Sequence, residues 1–163
     1  MTSLDIEVAL SNYFNPRVNL MVPNVSWGMW LHECDLLVIT KAGYCYEVEI
    51  KISRADMRAD HKKRHAHASD KIKCLYFAYP QSLGTCADLV PDRAGTITVE
   101  ENLHCHAVRP ALPNHQALPL TIEERYQIAR LGTMRIWTLK EKLLAHGLTL
   151  CSVEQNQNLF HGK

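Results

Sequence analysis

The sequence predicts an α/β fold in one domain, ordered α-β-β-β-α-β, with a C-terminal α/β addition ending in a long helix and three layers in all. Three observations carry that prediction. A helix signal capped by Thr2 or Ser3 stops at Asn15-Pro16. Two strand-like stretches, Cys34–Thr40 and Tyr44–Ile52, flank a three-residue loop. A polar, basic helix follows at once.

The first helix runs to about Phe14. Val18–Trp30 is rich in Val, Met and Trp but is broken by Pro23 and Gly28, so it reads as an irregular or edge strand. Cys34–Thr40 is a short buried strand, and Tyr44–Ile52 alternates with a period near two. Lys41-Ala42-Gly43 between them fits a hairpin loop with Gly43 in the left-handed conformation. Ser53 and Asp56 resemble a capping box, and the helix they open should run to roughly Ala66. Lys73–Tyr79 is strand-like and stopped by Pro80. Thr85–Leu89 fits a short helix, and Gly95–Glu100 and His106–Arg109 look like strands. Prolines 110, 113 and 119 make the next stretch a surface linker. Thr121-Ile-Glu-Glu124 is a capping box whose helix extends to His146, with Gly147 as its C′ residue. Residues 1–110 therefore form the core and its following strands. Residues 111–163 form the linker and C-terminal helix, packed on the same domain. That helix has apolar residues at 122, 128, 129, 131, 136, 137, 139, 143 and 144. So wide a surface is more often a docked helix than a homodimer seam, and a helix of about 37 Å is long enough to protrude.

Composition narrows the function. At 47% hydrophobic and 21% charged, the chain is neither disordered nor collagen-like. A core of this size can bury roughly 70% of the unfolded surface without disulfide staples. Its longest strongly apolar run, Leu36-Leu37-Val38-Ile39, is far short of the ~18 residues that span a bilayer. The first residues lack a basic region followed by an apolar one, so a cytoplasmic location without membrane contact is expected. Six cysteines without a Cys-x-x-Cys pair fit reduced core residues. Net charge is only +1, but residues 51–73 hold eight Lys/Arg against three Asp. A basic segment on an otherwise acidic chain points to a polyanionic partner.

The chemistry concentrates between Asp35 and Lys51. With the loop at Lys41-Ala42-Gly43, Thr40 pairs with Tyr44 and Asp35 falls opposite Glu49. Like charges there repel unless something bridges them. Lys51 and Glu47 lie an even number of residues from Glu49 and project from the same face. Facing carboxylates beside a lysine suit a hard cation, which takes one or two carboxylates and leaves room for phosphate oxygens. The lysine could orient or deprotonate an attacking water. Removing Asp35 or Lys51 is expected to abolish cleavage and spare folding.

Asp35, then Glu49-Ile50-Lys51, then a helix, resembles the PD-(D/E)XK nuclease superfamily. The run Tyr46–Asp60, followed by Leu75-Tyr-Phe-Ala-Tyr-Pro80, is similar to its MmcB-like DNA-repair branch and to phage and mobile-element relatives. The resemblance covers roughly residues 1–100. Cys34 stands where the superfamily's name has proline. The resemblance implies a restriction-endonuclease-like αβββαβ core that hydrolyses DNA phosphodiesters with Mg²⁺ or Mn²⁺, in repair, recombination or phage defence. By position, Asp35, Glu49 and the Ile50 carbonyl would be metal ligands, Lys51 the catalytic lysine, and Glu7 a further acid near the metal. Arg54, Arg58, Lys62 and Lys63 on the basic helix could hold phosphates. Asp56 and Asp60 could assist the metal site or pair with Arg and Lys along it, the pairing being the favoured reading. DNA is the expected partner, with nothing in the residues to separate it from RNA. The rival reading is a noncatalytic nucleic-acid-binding or assembly subunit on the same fold.

Overall fold

The loop at Lys41-Ala42-Gly43 sets the register of the sheet in the computed structural model, which describes residues 1–25, 32–60 and 69–147. Gly43 has φ +89°, which glycine adopts at little cost. The Thr40 N–H donates to the Tyr44 carbonyl at 2.9 Å. From there β2 (Cys34–Ile39) and β3 (Cys45–Ile50) pair antiparallel, Ile39 with Cys45 and Leu36 with Val48. This is the register the sequence predicts.

One six-stranded mixed sheet results, with strands in chain order. β1 (Leu20–Val25) lies antiparallel to β2 at one edge, where Pro23 is tolerated. The rest of the stretch expected to be an edge strand, residues 26–30, lies outside the described residues. β3 and β4 (Ile72–Pro80) are parallel, which requires a crossover, and α2 (Arg54–Asp60) lies in it. β5 (Gly95–Val99) continues parallel to β4, and β6 (Cys105–Arg109) closes the other edge antiparallel. A 3-10 turn at Ala87–Leu89 occupies part of the short helix expected at Thr85–Leu89.

The caps follow the sequence signals. α1 (Ser3–Phe14) starts at Thr2, whose hydroxyl accepts from the Asp5 N–H while the Asp5 carboxylate accepts from the Thr2 N–H. At α2, Ser53 Oγ accepts from the Asp56 N–H at 3.1 Å. Asp56 reaches one residue further back than a standard box, to the Ile52 N–H at 3.3 Å. Residues 61–66 of the expected helix lie outside the described residues.

Helices cover both faces. Leu36, Val38, Val48 and Ile50 pack under Ile6, Ala9 and Leu10 of α1. On the opposite face Val22, Leu37, Ile39 and Cys45 meet Leu120 and Ile128 of the C-terminal segment. Met57 of α2 packs with Tyr79 and Cys86. Each fully buried side chain of this kind contributes roughly 1.5–3 kcal/mol. The linker is held to the sheet by its backbone: Asn114 N–H donates to the Lys73 carbonyl, and Leu120 N–H to the Gly43 carbonyl.

The last helix, α3 (Ile122–Ala145), departs from expectation. Its capping box at Thr121 and Glu124 is present, and Gly147 follows with φ +68°. Of the expected apolar face, however, only Ile128 is fully buried; Ile122, Ile136, Trp137, Leu139 and Leu144 are exposed. The helix docks by its first half. Gly132 lets it approach Val22 of β1, and Arg135 donates to the Asn24 carbonyl at 2.7 Å. From Ala129 to Lys142, α3 borders an open groove of about 590 Å³ with β1 and the start of α1. No helix among the described residues is long and apolar enough to cross a membrane.

Candidate active site

Charge is buried on β3 where strands are usually apolar. Glu47 and Glu49 are 0% exposed and Lys51 4%. They alternate with Val48 and Ile50, which face α1, so the three charges lie on the opposite face. Ions removed from water need partners. Lys51 Nζ stands 2.8 Å from Glu49 Oε2 and 2.7 Å from Asp60 Oδ1 at the end of α2. Glu47 Oε2 lies 2.8 Å from His32 Nε2. The Lys51 backbone is fixed as well, its N–H donating to the Ala78 carbonyl at 2.9 Å.

These contacts decide what Lys51 can do. Burial opposes its charge, but the Glu49 and Asp60 carboxylates outweigh burial and hold the ammonium above the usual lysine range. Lys51 is a fixed cation. It can donate hydrogen bonds and offset negative charge. It is not a residue to remove without cost to folding.

Asp35 sits at a break in the strand. Extending the β2–β3 register by one pair puts it opposite Glu49, and its Oδ2 accepts from the Ile50 N–H at 2.8 Å. Leu36 and Val38 face α1, yet Cys34 packs with Leu37 on the other face, so alternation fails between them. On β1, Asn24 has φ +51°. Simple alternation therefore does not describe Asp35, which reaches the β3 backbone and also acts on Glu7 of α1. Burial and then the Asp35 charge push the Glu7 carboxyl above its usual range. Burial raises the Cys34 thiol too, aided by Glu47, Glu49 and Asp35.

The basic helix divides. Arg58 is exposed, as a phosphate contact would require. Arg54 is instead engaged across α2, donating to the Thr85 carbonyl at 2.7 Å and lying 3.6 Å from Asp88. Lys62 and Lys63 fall outside the described residues. Sequence reasoning missed the Glu47–His32 pair; for Asp60 it favoured partners on its own helix over the metal site, and the structure pairs it with Lys51.

Comparison with known proteins adds the fold. No family model matches the chain, and no curated protein matches it. A protein of unknown function from Silicibacter pomeroyi is similar in structure. The TM-score is 0.63 at 16% identity, over 99% of this chain and 96% of that one. At that identity the likeness shows a shared fold over nearly the whole chain.

The donor set can be weighed on its own chemistry. Among the described residues, no three His, Cys, Asp or Glu side chains gather as a metal-holding group. Asp35 accepts from the Ile50 N–H, next in sequence to Glu49, and its charge acts on Glu7. The carboxylates of Asp35, Glu49 and Glu7 and the Ile50 carbonyl are hard oxygen donors, and a divalent cation would relieve the Asp35–Glu7 repulsion. Two carboxylates and a carbonyl suffice for Mg²⁺ or Mn²⁺, which keep several waters. The residues fit such an ion.

Proposed function

We propose that this chain is a Mg²⁺- or Mn²⁺-dependent nuclease of the PD-(D/E)XK type that hydrolyses DNA phosphodiester bonds. One observation carries the reading: the Asp35 carboxylate reaches the β3 backbone at Ile50, between Glu49 and the buried Lys51 that is ion-paired to it. The αβββαβ order, with β3 and β4 parallel, supports a restriction-endonuclease-like core.

Asp35, Glu49 and the Ile50 carbonyl would hold the cation, with Glu7 as an outer acid. Bound there, the cation supplies Lewis-acid charge and lowers the pKa of a coordinated water. The chain's own residues do the rest. The Lys51 ammonium orients a water by donating hydrogen bonds and offsets charge growing on the phosphate. Arg58 provides an exposed contact for the DNA backbone.

Incubating the pure protein with plasmid, single-stranded and branched DNA in Mg²⁺, Mn²⁺ or EDTA tests this. Metal-dependent cutting that Asp35→Asn and Glu49→Gln abolish is the expected result. Equal residual cutting by wild type and variants would mean contamination and end the proposal. Binding without cutting under every metal would favour the noncatalytic subunit.

A further inference from the structure

We infer that Asp60 is a positioning residue, holding the Lys51 ammonium in place while Glu49 serves the cation; this rests on the nuclease reading above. Lys51 has two carboxylate partners of different origin. Glu49 lies two residues back on the same strand, and Asp60 lies on α2, 2.7 Å from the ammonium and 5% exposed. Glu49 is also a candidate metal ligand. A carboxylate drawn toward a divalent ion has less negative charge to offer a lysine, and the ion itself repels the ammonium. Held by Glu49 alone, Lys51 would lose its place when the site fills.

Asp60 removes that conflict, and the fold explains why it is available. The Ser53–Asp56 cap fixes the start of α2, and Met57 seats the helix against Tyr79 and Cys86. Asp60 is three residues beyond Met57, on the same helical face, so the packing that buries Met57 delivers the carboxylate to Lys51. Lys51 also lies 5.8 Å from the centre of the Phe77 ring, which limits where the ammonium can move. Asp60 is its standing counter-ion, and Glu49 is the partner that can be lent.

The test follows the lysine ammonium directly by ¹⁵N NMR of the whole protein, with Ca²⁺ as the hard-cation probe. Lys51→Arg identifies the resonance. It should persist in Glu49→Gln and through Ca²⁺ addition, disappear in Asp60→Asn, and return in part in Asp60→Glu. Cleavage gives the second readout. Asp60→Asn should lower kcat by roughly tenfold or more, the scale of outer-shell changes. KM for DNA should hold within about twofold, because positioning changes the chemical step more than ground-state binding. A resonance that survives Asp60→Asn but vanishes in Glu49→Gln overturns the inference, as does a wild-type kcat in Asp60→Asn. Should Asp60→Asn fail to fold, Asp60→Glu and Glu49→Gln still decide by the same resonance. A wild type that cuts nothing, yet shows the expected NMR pattern, sinks the nuclease reading and leaves the clamp standing.

Discussion

The two faces of β3 are buried alike and held by opposite means. Val48 and Ile50 lie under α1 among Ile6, Ala9 and Leu10, where apolar contact alone keeps them. Glu47, Glu49 and Lys51 lie on the other side, equally enclosed, and depend on His32, Asp60 and each other. Apolar contacts are lost in increments as atoms are removed. An ion stripped of its partner is left with nearly its full desolvation cost.

The largest effect should come from breaking the ionic face at its centre. Lys51→Met leaves Glu49 and Asp60 buried together and should destabilise by about 3–5 kcal/mol in urea unfolding. Adding Glu49→Gln and Asp60→Asn to it should recover a large share of that loss. On the apolar face Leu10→Ala should cost about 2–5 kcal/mol, with no partner substitution that restores it. If the three ionic changes simply add, the two faces do not differ in kind.

Asp35 ranks next. Asp35→Ala leaves the Ile50 N–H without this acceptor and should cost about 1–3 kcal/mol in the same assay. Asp35→Asn keeps an acceptor and should cost far less. Relief of carboxylate repulsion alone would predict a gain for both, so the sign separates the two effects.

A smaller effect attaches to Glu7. Its folded pKa is raised by burial and by Asp35. A raised carboxyl contributes stability that is full below the ordinary glutamate value and is lost as pH rises through the folded value. Wild type should therefore lose thermal stability as pH rises across that window in chelator. Glu7→Gln should be flatter there and more stable at neutral pH. A Glu7→Gln melting curve that follows wild type at every pH would remove the Asp35–Glu7 coupling.

The smallest effect belongs to the rim. Arg58→Ala should leave stability unchanged and flatten the salt dependence of duplex DNA binding by about one unit, as one lost phosphate contact requires. An unchanged slope would make Arg58 a solvated charge, and the DNA path would then have to be sought elsewhere.

What the sequence disclosed depended on whether a cause was local. Thr2, Ser53 and Thr121 announce their helices because capping acts within four residues. Gly43 discloses the β2–β3 register because loop length fixes it. Asp60 stayed open between helix neighbours and the metal site: which it meets depends on how Met57 seats α2, a tertiary fact. The break in alternation at Cys34 was equally invisible, since a period of two gives no warning of its own failure. On α3 the apolar pattern was real, but pattern counts hydrophobic residues and not the surface on offer to them. From Ala129 to Lys142 the helix has an open groove beside it where a packed neighbour would be needed.

Gly43 joins two parts of the molecule that seem independent. Its loop sets the β2–β3 register from Ile39–Cys45 to Leu36–Val48, and its carbonyl receives the Leu120 N–H at 2.9 Å, just before α3 begins. A side chain there would meet the Leu120 carbonyl at 3.1 Å. Drift in this loop is thus constrained twice over. One inserted or deleted residue would slip the strands, turn the charges away from one another, and detach the C-terminal helix in the same event. Among descendants of this chain that keep the site, substitutions can accumulate almost anywhere on the surface. The length of this one turn has to be inherited unchanged.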